Sequence, residues 1–281
     1  MSGFVDPPLG AVRDVVARAL AEDLLPLGDV TATLVDPAAR AHVALVSRAP
    51  GVLAGRLGAA ETFGQVDPSL EVAWLLDDGE GLGAGAVIAT VVGSLTSILT
   101  AERTALNLLC HLSGVATLTR RYVAAVAGSG ARILDTRKTT PGLRALEKAA
   151  VRAGGGHNHR GNLSEMVLVK DNHLGGTSIA EAVARARELW PMRTVEVECD
   201  GLGQVREALE AGSDCVLLDN MTPDDVAVAV QEVGGRAVVE VSGGLSLDNV
   251  AAFAAAGADL LSVGALTHSA PALDIGLDLG A

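Results

Sequence analysis

Residues 134–142 read L-D-T-R-K-T-T-P-G. An apolar strand, Arg132–Thr136, runs into an Arg137–Lys138 pair and then a Pro–Gly turn. The chain around it is acidic, with a formal net charge of -13 over 281 residues and only three lysines, Lys138, Lys148 and Lys170. All three lysines fall in one window. A sequence pI of about 4.8 argues against nucleic acid, because phosphate backbones demand broad cationic faces. Positive charge gathered at one strand end therefore serves a small anionic ligand or a structural ion pair.

Outward from this stretch the chain keeps a regular beat. Apolar strand candidates recur at Arg132–Thr136, Glu165–Lys170, Thr194–Cys199, Cys215–Asn220, Ala237–Ser242 and Leu260–Gly264. Helix candidates lie between them at Leu143–Ala153, Ser178–Trp190, Gln204–Ala211, Pro223–Val233 and Leu247–Ala256, with Gly154, Gly212, Gly234 and Gly257 at their expected stops. Strand–helix alternation predicts a parallel α/β sheet. Short spacing and scarce aromatics favour a barrel, and six strands make it incomplete; a doubly wound open sheet is the alternative. Residues 1–112 read differently. They hold a helix at Leu9–Ala21, strands such as Ala41–Ser47 and Ala86–Val92, and a helix at Thr100–Leu112 with Thr100 as N-cap and Glu102 in its first turn.

The uncharged run Gly81–Ala101 is broken by Gly81, Gly83, Gly85 and Gly93, so it reads as turns and a strand rather than a membrane span. Residues 1–13 lack the basic start of a secretory signal. Cys110, Cys199 and Cys215 show no ligand spacing and read as reduced thiols of a cytoplasmic protein.

Chemistry in α/β barrels sits at the C-terminal strand ends. Those ends read Arg137 and Lys138, then Lys170, Glu198, Asp219, Ser242 and Gly264. Side-chain period two puts Glu196 and Glu198 on one face of their strand, and Glu240 and Ser242 on one face of theirs. Carboxylates aimed into a barrel need partners, and Lys170 and Arg137 are the nearest supply; a purely structural ion-pair network is the alternative. Gly154–Arg160 reads G-G-G-H-N-H-R, a turn that admits close approach and carries His159 and the planar fork of Arg160. A metal site on His157 and His159 lacks a third local ligand. His42, His111 and His268 read as ordinary residues. Ser242-Gly243-Gly244 and Gly264 follow the last two strands, where backbone N–H groups cradle phosphate. Glu198 and Asp219 on neighbouring strands suit Mg²⁺ or ribose hydroxyls, or merely balance nearby cations. A cationic half for carboxylates and a half for phosphate, metal and sugar together fit an enzyme joining an acidic aromatic to a phosphorylated sugar.

Several stretches carry a specific resemblance: A-E-D-L at 21–24, G-D-V-T at 28–31, G-V-L-A-G at 51–55, L-T-A-E-R-T-A-L-N at 99–107 and L-S-G-V-A-T at 112–117. They continue with D-T-R-K-T-T-P-G-L-R at 135–144, G-G-G-H-N-H-R at 154–160, V-K-D-N-H at 169–173, L-L-D-N-M at 217–221 and S-G-G at 242–244. The chain resembles the quinolinate phosphoribosyltransferase family over essentially its whole length. The resemblance implies an N-terminal α/β sandwich domain (1–112, with 268–281 packed on it) and an incomplete six- or seven-stranded α/β barrel (113–267).

It also implies transfer of phosphoribosyl from phosphoribosyl pyrophosphate to quinolinate with decarboxylation, Mg²⁺ as cofactor, and a homodimer in which Arg103 reaches across the interface. Arg137, His159, Arg160 and Lys170 would hold the quinolinate carboxylates. Lys138, Glu198, Asp219, Ser242, Gly243 and Gly264 would hold the donor and Mg²⁺, directly or through water, and Thr136 and Gly244 complete the binding set. Lys138, His159, Lys170, Glu198 and Asp219 would form the catalytic group. Two departures, His157 where the family often has an apolar residue and Glu165 where Asp is usual, remove no charge that the chemistry needs. Rival readings are a relative with another acceptor such as nicotinate, a non-catalytic dimeric binding protein, and another phosphate-handling barrel enzyme. A charge-assisted hydrogen bond contributes about 1.5–3 kcal/mol. Arg160→Ala should therefore raise the quinolinate KM about tenfold or more in steady-state kinetics, and an unchanged KM would remove Arg160 from the acceptor site.

Overall fold

The structure is a computed structural model and describes residues 6–280. Its elements run α1 (Leu9–Leu24), β1 (Arg40–Ser47), β2 (Gly51–Val52), α2 (Arg56–Val66), β3 (Glu71–Trp74), β4 (Gly81–Leu82), β5 (Val87–Ser94), α3 (Leu95–Ala125), β6 (Arg132–Leu134), α4 (Arg144–Ala153), β7 (Val167–Val169) and α5 (Asp171–Leu174). They continue α6 (Ile179–Leu189), β8 (Val195–Cys199), α7 (Leu202–Glu210), β9 (Cys215–Asp219), α8 (Pro223–Val233), β10 (Val238–Ser242), α9 (Val250–Ala255), β11 (Leu260–Ser262), α10 (Ala265–His268) and β12 (Ile275–Leu279). They form two compact units. One holds the chain up to Arg120, Thr139–Gly155 and the stretch from Leu266 onward; the other holds Arg121–Lys138 and Gly156–Ala265.

In the first unit an antiparallel sheet runs in the order β12-β1-β5-β3. Val43 and Leu45 of β1, two residues apart, share a face, as strand periodicity requires. They enter one buried cluster with Ile88 and Val91 of β5, Phe63 of α2 and Ile98 and Leu109 of α3. Leu273 and Ile275 join that cluster, and β12 pairs antiparallel with β1.

The expected helix Thr100–Leu112 is part of a much longer one. α3 begins at Leu95 and runs 31 residues to Ala125. Thr100 is no N-cap: it lies inside the helix, where its hydroxyl donates to Asp29 Oδ2 at 3.0 Å. The Ser113–Gly114 pair imitates a helix stop, but Gly114 answers a packing demand. A Cβ there would stand 2.1 Å from the Pro271 carbonyl oxygen.

The second unit carries a parallel sheet in the order β6-β11-β10-β9-β8-β7. The first strand pairs with the last and not with β7. That cyclic order, with one pairing missing, is an incomplete barrel; a doubly wound sheet would reverse direction at a switch point. His157 bridges Leu134 in parallel on the open edge of β6. Curvature follows from one contact. In a flat sheet β6 and β8 would lie four strand spacings apart, roughly 19 Å. Yet His159, just beyond the β6 bridge, reaches Glu196 on β8 at 3.1 Å.

Several strands stop before the expected ends because their last residues turn into the rim. The Asp135 N–H donates to the His157 carbonyl at 3.2 Å, and the Lys170 N–H donates to His173 Nδ1 at 3.0 Å. At the start of β7, Glu165 folds back to accept from the Gly161 N–H at 2.6 Å and Asn162 Nδ2 at 2.9 Å, which keeps it out of the strand.

Gly114→Ala should lower stability by about 1–3 kcal/mol, the usual cost of overpacking. Urea unfolding checks this, and a midpoint equal to wild type would mean that the backbone contact yields freely.

Candidate active site

The charged groups of the barrel sort into two layers. The deeper layer is a buried cluster. Glu196 of β8 and Glu240 of β10 are 0% and 1% exposed, and both face His159, which is 11% exposed. His159 Nε2 lies 3.1 Å from Glu196 Oε2 and 3.4 Å from Glu240 Oε2. Further donors serve the other carboxylate oxygens: Cys215 Sγ reaches Glu196 Oε1 at 3.2 Å, and the Ser262 hydroxyl donates to Glu240 Oε1 at 2.6 Å. Buried Asp135 accepts from Asn158 Nδ2 at 2.6 Å and from the His159 backbone N–H at 3.0 Å, and so fixes the segment that carries the imidazole.

Burial alone would strip His159 of its proton, but the hydrogen bonds and charges of Glu196 and Glu240 outweigh it and push its pKa up to about 10. Burial holds Glu240 above the usual carboxylate range, with the Glu196 charge adding to it. Glu196, despite its own burial, is held below that range, chiefly by the His159 hydrogen bond and charge. Burial also pushes the Cys215 thiol up. The partner of these glutamates is therefore His159, not the Lys170 and Arg137 expected from the strand ends. Lys170 pairs with Glu198 instead.

The outer layer is the rim. Lys170, 40% exposed, makes its ion pair with Glu198, 15% exposed. Arg137, Arg160 and Lys170 line one cavity of about 640 Å³, whose apolar walls include Leu163, Met166 and Trp190. Arg160 Nη1 donates to the Met166 carbonyl at 3.3 Å. Burial and the neighbouring Arg137 charge lower the Arg160 pKa. The buried Arg137 Nε has no hydrogen-bond partner among the described residues. Lys138 is exposed beside them, its N–H donating to Thr136 Oγ1 at 3.0 Å.

On the neighbouring strands, Asp219 stands level with Ser242. Asp219 Oδ2 accepts from Asn220 Nδ2 at 2.6 Å, and the Asn220 N–H donates to the Ser242 carbonyl at 3.1 Å. Gly243, at φ +90, could carry no Cβ, which would lie 2.3 Å from Asn220 Oδ1. Here glycine is required by its neighbour as well as by its φ. Gly264 follows β11 at the same end of the sheet. Arg103 is exposed on α3 in the first unit. Gly154, expected to give a ligand access, instead packs on α3, where a Cβ would meet the Ala116 carbonyl at 2.5 Å.

The residues missed as a set by the sequence reading are Asp135, Glu196, Cys215, Glu240 and Ser262. The alternation E-V-E at 196–198 and V-E-V-S at 239–242 signalled inward carboxylates; nothing local signalled which cation would meet them.

Fold and rim together define an α/β-barrel protein with a cavity lined by Arg137, Arg160 and Lys170. Quinolinate phosphoribosyl transferase sequences match it in two parts, the N-terminal domain at residues 29–113 and the C-terminal domain at 115–278. A nicotinate-nucleotide pyrophosphorylase (carboxylating) of Mycobacterium leprae is 46% identical, with 98% of this chain and 99% of that protein aligned. A mitochondrial quinolinate phosphoribosyltransferase (decarboxylating) of Nicotiana tabacum is 40% identical over 98% of this chain and 85% of its own length. The solved nicotinate-nucleotide pyrophosphorylase of Francisella tularensis superimposes with a TM-score of 0.94 at 38% identity, covering 99% of both chains. The chain belongs to the quinolinate phosphoribosyltransferase family. Human nicotinic acid phosphoribosyltransferase, 15% identical with a TM-score of 0.65, shares the fold alone.

The raised His159 pKa has a sign that can be checked. A group protonated more tightly when folded stabilises fully below its unfolded pKa, near 6.5, and the contribution is lost as pH rises to about 10. Wild-type stability to urea should fall across that window, and the fall should shrink in His159→Gln. Parallel pH profiles for the two proteins would show that His159 is neutral in the fold.

Proposed function

We propose that the chain transfers the phosphoribosyl group of phosphoribosyl pyrophosphate to quinolinate with loss of CO₂, giving nicotinate mononucleotide and pyrophosphate for NAD biosynthesis. The observation that carries this reading is the convergence of Arg137, Arg160 and Lys170 on one cavity in a chain of net charge -13. Quinolinate is a flat dianion. Guanidinium forks match its carboxylates, apolar walls match its ring, and the unpartnered Nε of Arg137 is a donor ready for an anion.

In this reading Arg137, His159, Arg160 and Lys170 hold the acceptor, and Arg137 and Arg160 fix its plane. Lys138 neutralises the departing pyrophosphate, helped by backbone N–H groups of Ser242–Gly244 and Gly264 and by Thr136. The donor loses pyrophosphate through an oxocarbenium-like state at the ribose C1, where preorganised positive charge lowers the barrier. The pyridine nitrogen attacks C1 and becomes cationic. That charge stabilises the ylide left when the adjacent carboxylate departs as CO₂, and His159 or Lys138 stands to supply the proton.

Glu198 and Asp219 offer only hard oxygen donors on adjacent strands, which fits Mg²⁺. When bound there, the ion supplies charge neutralisation at the pyrophosphate oxygens. Lys170 keeps Glu198 turned toward the rim.

The reading includes a cytoplasmic homodimer with Arg103 contributed across the interface. Exposed Leu25, Leu27, Val30 and Leu34 in the first unit support a second copy as partner. Three free cysteines suit a reducing compartment, and no described helix is long and apolar enough to cross a membrane.

Release of labelled CO₂ from carboxyl-labelled quinolinate should require phosphoribosyl pyrophosphate. Nicotinate should not replace quinolinate; equal use of nicotinate would assign a different acceptor. Arg103→Ala and Arg137→Ala should each be inactive alone. After mixing and subunit exchange they should recover about a quarter of wild-type activity, since half the dimers then hold one intact site of two. No recovery would place Arg103 outside the partner's site.

A further inference from the structure

The cluster beneath the rim has a role that the substrate contacts do not describe. Two carboxylates from non-adjacent strands, β8 and β10, converge on one imidazole nitrogen, and both are fully buried. A buried carboxylate without a counter-charge is expensive, and two together more so. Each glutamate also has a second oxygen held by a wall residue, Cys215 for Glu196 and Ser262 for Glu240, so neither side chain can swing away.

The charged groups around the imidazole are Glu196 from β8, Glu240 from β10, and Asp135 at the end of β6, which holds the His159 N–H. Arg160 adjoins it in the chain, and the Arg160 guanidinium feels both the Arg137 and the Glu196 charges. The buried acids thus sit directly behind the cationic rim. Three titratable groups with ligand atoms within 4.8 Å could also hold a metal ion. The 3.1 Å separation from Glu196 is a hydrogen bond that satisfies Nε2 with no further atom, and Glu240 Oε2, a buried oxygen with no hydrogen bond of its own among the described residues, stands 3.4 Å from the same nitrogen as an ion-pair contact.

We infer that Glu196 and Glu240 are positioning residues: they clamp His159 at Nε2 as a cationic imidazolium of fixed orientation, and so complete the set of positive groups that receives the acceptor's carboxylates. This rests on the acceptor reading proposed above. Glu196 and Glu240 act through His159 and touch no substrate atom.

Turnover of quinolinate by the wild-type protein tests the acceptor reading; the glutamate variants test the clamp separately. Glu196→Gln and Glu240→Gln should each raise the quinolinate KM about tenfold while leaving the KM for phosphoribosyl pyrophosphate within about twofold. A general loss of structure would move both. In protein labelled with ¹⁵N-histidine, at about pH 8.5, well above an ordinary imidazole pKa, the His159 signals should be those of imidazolium. They are assigned by their loss in His159→Gln. They should become those of neutral imidazole in Glu196→Gln and remain imidazolium in Glu196→Asp. If Glu196→Gln does not fold, Glu240→Gln carries the same expectation. A neutral His159 in the wild type, or an unchanged quinolinate KM in folded variants, would overturn the inference. So would a transition metal bound at one ion per chain in the purified protein.

Discussion

A carboxylate buried in a barrel wall must meet a positive charge, and this requirement organises the second unit. Glu196 and Glu240 lie on β8 and β10 with essentially no solvent exposure. Leaving either unpaired would cost several kcal/mol, comparable to the whole stability of a domain. The cation comes from the chain that follows β6, which crosses the open seam and delivers His159. The same crossing sets Arg160 one residue further on, beside Arg137. Closing the barrel electrostatically and building the cationic cavity are therefore one event.

The two charged layers differ in what water can do for them. Below, the imidazole lies against two carboxylates in a site that solvent hardly reaches. Above, the Lys170–Glu198 pair is partly exposed. Exposed ion pairs are worth little to stability, so the acceptor binding proposed here would cost the rim little in lost internal contacts. An acidic chain sets Arg137, Lys138, Arg160 and Lys170 at this end, positive charge at high local density rather than over a broad face.

The parallel barrel was legible because strand-to-helix alternation and strand-end charges are local signals. Arg137, Lys138, Lys170, Glu198 and Asp219 stood out because each ends an apolar run. Two things were hidden. The start of α3 at Leu95 was hidden because Ser94, Thr96 and Ser97 resemble a turn, while burial of Ile98 and Ala101 against the sheet overrides that tendency. The partner of Glu196 and Glu240 was hidden because it depends on curvature: His159 is separated from them by 37 and 81 residues, and only closure of the sheet brings them together. Period two told which way the glutamates point, and Lys170 and Arg137 were the nearest cations by strand order. In space the nearest one comes from a loop.

The central claim is that one cavity, lined by Arg137, Arg160 and Lys170, receives a planar dicarboxylate. A crystal structure of the protein with quinolinate tests it most directly. The account predicts the pyridine ring between the apolar walls, with its carboxylates in contact with Arg137, Arg160 and Lys170. Quinolinate bound elsewhere, with those three side chains still turned to protein partners, would contradict it.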